Sequence, residues 1–398
     1  MPVQTGLDRL VADAFTSLSG LSVGVLAHQP SVDRDLRHIV PLLLEAGVQV
    51  SALFGPEHGL DGAAQDMEDV PDGATPRDRR SGARIYSLYG SDEASLRPSS
   101  EMFEGLDVLL VDLQDVGARY YTYAATMGYA LETAAEVGLR VIVLDRPNPL
   151  GGLGTHLEGP ALETGFESFV GAFPMAIRHG LTLAEYAAWV RKRKGLDVDL
   201  EVVEMVGWSR DMDYEATGLP WVLPSPNMPT MEAAWIYPGQ CLLEGTNLSE
   251  GRGTTRPFEL CGAPWLDGAA WAEKARPDVG AGVELRPTAI KPMFQKHAGL
   301  SCGAVQIHTT NRWLVRSLRV TVALLAAARA LAPNDFEWRT DAYEFVSDRL
   351  AIDLLFGSAK PREALEGGAS VDDVMATFTA DENAFREARR DVLIYPDA

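Results

Sequence analysis

Three short runs concentrate residues able to move protons or hold an anion. Phe54-Gly55-Pro56-Glu57-His58-Gly59 sets a carboxylate and an imidazole in a loop stiffened by Pro56 and hinged at Gly59. A carboxylate on so constrained a backbone suits general acid or base work. Capping the next helix is the plain alternative, and spacing does not separate the two. His58 reads as an orienting partner for Glu57. The run Asp112 to Tyr123 carries Asp115, Arg119 and three tyrosines. Asp115 either pairs with Asp112 or caps a helix starting near Tyr120, capping being the stronger reading. Tyr121 and its neighbours offer ring faces for stacking, although at helix spacing at least one belongs to the core. The third run, Asp145-Arg146-Pro147-Asn148, adds an acid and a cation, and Glu244, Asn247, Glu250 and Arg252 crowd a Gly-rich loop further on. Arg119, Arg146, Arg178 and Arg252 each neighbour Gly, Pro or an aromatic residue. They are either salt-bridge partners of small worth or a clamp for a carboxylate, which the planar guanidinium suits.

The elements that must position these runs are legible in the apolar pattern. Strands are expected at Leu21–Ala27, Val48–Phe54, Arg84–Tyr89, Val108–Leu113, Val141–Asp145 and Val198–Met205, nearly continuous in apolar residues. Strands covered by helices on both faces have that composition. Helices are expected over 33–46 and 120–137, and from Leu181, where Thr182 and Glu185 fit a capping box. Alternating strands and helices imply an α/β fold with a Rossmann-like parallel sheet, and such a sheet sends its strand-to-helix loops to one edge. From Pro220 to Pro257 the pattern becomes irregular and rich in Pro, Gly and Asn. Beyond it lie a strand from Cys302, a long apolar helix over 314–331 and short helices.

Composition bounds the partners. With 398 residues the chain suits two domains, read as 1–228 and a smaller α+β C-terminal domain over 229–398. A net charge of -21 disfavours nucleic acid and anionic membranes, and an anionic ligand would need a local cation. Three cysteines without CxxC, and seven histidines without metal-ligand spacing, give no metal site. No GxGxxG, phosphate loop or GxSxG elbow is present, so no nucleotide or other cofactor is expected. The start of the chain lacks the pattern of a signal peptide, and a cytoplasmic protein is expected unless a leader has been removed.

The motifs FGPEHG, SLYG from Ser87, QDVGARYYTY, LDRPNPLGG, RHGLTLAEYA, PSPNMP and LLEGTNLSEGRGTTRPFE occur in one order along the chain. In these it resembles the NamZ-type exo-β-N-acetylmuramidases, formerly a bacterial domain of unknown function. The resemblance implies a hydrolase that releases N-acetylmuramic acid from the non-reducing end of peptidoglycan fragments, in cell-wall turnover and recycling. It implies a site between a Rossmann-like domain and a C-terminal domain, with Glu57 as the catalytic glutamate. It also implies a substrate-facing loop at Glu244, Asn247, Glu250 and Arg252, and its motifs bring in Asn148, His179 and Asn227. Where the family commonly has an Asn-x-Thr-Gly-like turn, this chain has His28-Gln29-Pro30-Ser31.

Glycoside hydrolysis needs an acid and a second group. Glu57, oriented by His58, is the expected acid. Glu244, Glu250, Asp115 and Asp145 are candidates for the second group, as is the substrate's own acetamido. Arg146, Arg178 or Arg252 would meet the lactyl carboxylate. The rivals are a nucleotide-dependent oxidoreductase or transferase and a non-catalytic muropeptide-binding protein.

Overall fold

The computed structural model describes residues 2–65, 67–68 and 77–396. Six parallel strands, β1 (Ser22–Ala27), β2 (Gln49–Gly55), β3 (Arg84–Ser87), β4 (Val108–Asp112), β5 (Arg140–Leu144) and β6 (Leu200–Val203), form one sheet. Its order is β3-β2-β1-β4-β5-β6, the doubly wound arrangement that reverses between β1 and β4. Alternate residues of each strand bury into opposite layers. Val108 and Leu110 join the layer holding the helix Ile39–Glu45, while Leu109 and Val111 face that of Tyr123–Val137 and Leu183–Lys194. This two-sided burial accounts for strands with so few polar residues.

The expected capping box is present: Thr182 accepts from the Glu185 amide, and Glu185 accepts from that of Thr182. The helix expected over 33–46 begins only at Ile39. Asp33 accepts from the amides of Asp35 and Arg37 and from the Arg37 guanidinium, which folds 33–37 into a turn instead. The irregular stretch contains a helix, Met231–Gln240, capped by Thr230 and holding Pro238.

Beyond it a three-stranded antiparallel sheet, β7 (Leu260–Ala263), β8 (Val283–Ile290) and β9 (Cys302–Thr309), has β9 in the centre. The helix Gly268–Ala275 packs on β8 and β9, the helix Ser317–Leu331 packs on that helix in turn, and the expected short helices include one of 19 residues, Val371–Arg389, started by a capping box at Ser370. The largest apolar cluster runs without a break from the β4 and β5 face into Leu324 and Phe378. The end of the chain returns to the parallel sheet, where the Tyr395 hydroxyl donates to Asp145 Oδ2 at 2.7 Å. All three cysteines are buried and unbridged.

Candidate active site

Strand β2 delivers Glu57. His58 and Gly59 follow with φ of 68° and 79°, a pair of left-handed residues closed by the Gly59 amide on the Pro56 carbonyl at 2.9 Å. A non-glycine residue held left-handed costs roughly 1–3 kcal/mol and tends to occur where function fixes the backbone. The turn sends Glu57 into the protein, 5% exposed, where Thr122 Oγ1 donates to its Oε2 at 2.6 Å. Thr122 stands one residue before the helix Tyr123–Val137, so β4 and its loop supply the partner. The orienting bond expected from His58 therefore comes from Thr122. His58 Nδ1 instead donates to the Ala64 carbonyl at 2.8 Å and ties down the loop behind Glu57.

Glu57 and His58 line a narrow cleft together with Tyr121, Glu244, Arg252 and Glu344. The far wall comes from the second half of the chain. Gly251 and Gly253, both left-handed, bracket Arg252, and added Cβ atoms there would stand 2.3 Å from the Leu260 carbonyl and 2.6 Å from that of Phe294. Arg252 Nη1 donates to Glu244 Oε1 at 2.6 Å and Glu250 Oε1 at 3.2 Å, and the Tyr343 hydroxyl donates to Glu244 Oε2 at 2.6 Å. Lys296 holds the other oxygen of Glu250 at 3.0 Å. Burial would raise the Glu250 carboxyl, but Lys296 and Arg252 hold it down at about 2. Glu250 thus stands behind the cleft as a counterion for Arg252, and Glu244 is the one of the four second-acid candidates that lines it.

Several other expected residues lie elsewhere. Asp145 is fully buried, accepting from Ala184, Arg146 and Tyr395, and burial pushes its carboxyl up to about 7. Arg146 grips both oxygens of Asp112, with Nη2 at 2.8 Å, and Arg178 pairs with Glu158 at 3.3 Å over the Trp235 ring. Both arginines are spent in buried ion pairs. Arg119 donates to four main-chain carbonyls, and burial lowers its pKa to about 10. Asn148 bridges the Leu181 carbonyl and the Leu150 amide, and Asn247 is held by Asp335 and Glu337. Asp115 does not cap the helix, which begins only at Tyr123 with no side-chain cap; it accepts from the Gly117 amide in its own loop, with His179 Nε2 3.7 Å away. Asn227 reaches Gln65 at 3.0 Å, beside the cleft residues Ser225 and Met228.

Behind the cleft wall, the His28 ring meets Tyr123 edge-on with centroids 4.6 Å apart, and its Nε2 accepts from the Gln114 amide. Burial holds His28 well below the usual histidine range, so it is neutral. The changed turn therefore acts on the cleft through Tyr123. Tyr121 lines the cleft directly, its hydroxyl buried beside Ser225 and Tyr123 and its pKa raised by burial. Thr122, Tyr237, Tyr343 and Glu344 line the cleft without having been singled out in the sequence. Among the described residues no group of three or more His, Cys, Asp or Glu is placed to hold a metal ion.

Two family models match the chain: the N-terminal region of exo-beta-N-acetylmuramidase NamZ over residues 23–232 and its C-terminal region over 235–395. The peptidoglycan beta-N-acetylmuramidase NamZ of Bacillus subtilis (strain 168) is 40% identical over 394 residues, 99% of this chain and 91% of that protein. Two crystal structures of DUF1343 family proteins from Bacteroides fragilis superpose closely. One has a TM-score of 0.87 at 33% identity and covers 99% of both chains. The other has a TM-score of 0.78 at 28% identity and covers 100% of both.

Proposed function

The chain belongs to the NamZ family of exo-β-N-acetylmuramidases and is a glycosidase that releases N-acetylmuramic acid from the non-reducing end of peptidoglycan-derived saccharides, and from that premise we propose how its cleft does so. Glu57 is the general acid that protonates the leaving glycosidic oxygen. The observation that carries this reading is the Thr122–Glu57 hydrogen bond at the floor of a cleft that also holds Glu244 and Arg252. A hydroxyl donor fixes the carboxyl rotamer, so the proton is presented from one oxygen.

Glu244 faces the same space with Arg252 and Tyr343 on its two oxygens. Those donors favour its ionised form. A fixed negative charge there stabilises the positive charge that develops on the sugar in an oxocarbenium-like transition state. Of the three arginines weighed for the lactyl carboxylate, Arg252 is the one at the cleft, and we assign it that contact. The parts before and after residue 228 form the two walls. None of the described helices is long and apolar enough to cross a membrane.

Incubation of the purified chain with a chromogenic β-N-acetylmuramide tests the reading. Release of the chromophore at the same rate with and without added nucleotide is the expected result. A requirement for nucleotide, or binding without release, would return the assignment to the rivals set out above.

A further inference from the structure

We propose that Glu344 contacts the substrate, accepting hydroxyl donors of the terminal sugar, and that Tyr89 positions it; the proposal rests on the glycosidase reading above. Tyr343 and Val346 exchange both main-chain hydrogen bonds at 2.9 Å, so Glu344 and Phe345 are the two central residues of a tight hairpin turn. Their φ values are 47° and 66°, both left-handed. Such a turn selects Asn-Gly, because those residues reach positive φ with the least steric cost. A glutamate and a phenylalanine are poor choices for the turn itself, and side-chain contacts must hold them there.

The contacts come from the other half of the chain. The Tyr89 hydroxyl donates to Glu344 Oε2 at 3.1 Å, and the Tyr89 ring packs against Phe345 with centroids 6.0 Å apart. Tyr89 is itself fixed, since Ser87 Oγ accepts from its amide and donates to its carbonyl. This gives a physical role to the Ser87-Leu88-Tyr89-Gly90 motif, which the acid–base chemistry does not use. The Tyr343 hydroxyl anchors the near end of the turn on Glu244.

The result is a carboxylate 4% exposed, lining the cleft with Glu57. A glutamate at a hairpin tip ordinarily projects into water, whereas this one is turned inward. A pyranose presents a ring of hydroxyl donors, and an ionised carboxylate accepts at roughly four lone-pair sites. Glu57 is assigned to proton transfer and Glu244 to the charge that develops on the sugar; Glu344, held by Tyr89 at the same cleft, is the carboxylate assigned to the sugar's hydroxyls.

Steady-state kinetics on the chromogenic β-N-acetylmuramide, with the full chain, test this. Glu344→Gln keeps the shape but replaces the charged acceptor, and KM should rise roughly 10–100-fold, the usual range for hydrogen bonds to a charged group. kcat should fall by no more than a few-fold, and both limbs of its pH profile should stay in place. Tyr89→Phe should move KM the same way by less, and should add almost nothing in a Glu344→Gln background, because the two act as one unit. Unchanged KM in Glu344→Gln, a collapse of kcat, or additive effects in the double variant would each overturn the proposal. Tyr89→Phe retains the ring packing and so carries the test if Glu344→Gln fails to fold. A wild-type protein that does not cleave the muramide would instead sink the glycosidase reading.

Discussion

Asp145 sits at the end of β5, where an open parallel sheet binds its ligands, yet its surroundings mark it as structural, and Asp145→Asn separates the two roles. The carboxyl is fully buried and its pKa is pushed up to about 7 by burial. An unfolded aspartate titrates near about 3.9. The folded state therefore favours the neutral acid. The stability it contributes is fully present below the unfolded value and is lost as pH rises through the folded one. Linkage between those two values removes about 2.5 kcal/mol of stability between about pH 5 and pH 8, and about 4 kcal/mol across the full range. Asparagine is neutral throughout and can accept the same Ala184 and Arg146 amides, so the variant should lack this slope. Urea unfolding of both proteins at about pH 5 and pH 8 reads the difference directly, and muramide hydrolysis should stay near wild type. An unchanged pH slope would refute the burial argument. Intact stability with a lost turnover would return Asp145 to the active site.

Thr122→Val removes the donor to Glu57 while conserving shape, and turnover should fall roughly 10–100-fold, the range for losing a hydrogen bond to a charged group. A near-native rate would show that Glu57 needs no orienting bond. Arg178→Met strands Glu158 in the interior and should cost roughly 3–5 kcal/mol in a denaturant melt without changing substrate preference. A preserved melt with altered preference would contradict its assignment as structural. A β-N-acetylglucosaminide lacks the lactyl carboxylate and leaves the Arg252 contact unmade, so it should be a much poorer substrate than the muramide. Comparable kcat/KM for the two sugars would remove the carboxylate contact from the account.

The parallel sheet was legible because its inner strands β2, β1, β4 and β5 are buried on both faces and show it as apolar runs, whereas the edge strands β3 and β6 are only partly buried. β8 was not, because it is an edge strand that alternates in burial and carries Pro287. The helix Met231–Gln240 was hidden by its Pro and Gly content, which Thr230 capping and tight packing tolerate. At the site, Glu57 stood out because the turn that aims it is written in adjacent Pro and Gly residues. Thr122 did not, because it was read as part of a helix that in fact begins one residue later. The arginines show the limit most clearly. Arg146 and Arg178 look like Arg252 in sequence, and only the structure shows that they pair with Asp112 and Glu158 away from the cleft, whereas Arg252, itself paired with Glu244 and Glu250, lines it. Glu344 had no local signature at all, since what turns it inward is a tyrosine from the first half of the chain.

If Glu57 moves the proton, Glu57→Gln abolishes the transfer while keeping the shape of the side chain. The purified variant is assayed on the chromogenic β-N-acetylmuramide beside the wild type, with a thermal melt of each. Turnover should fall roughly 10²–10⁴-fold while the melt and the binding of N-acetylmuramic acid persist. Hydrolysis at the wild-type rate, or activity lost only in step with stability, would contradict the account.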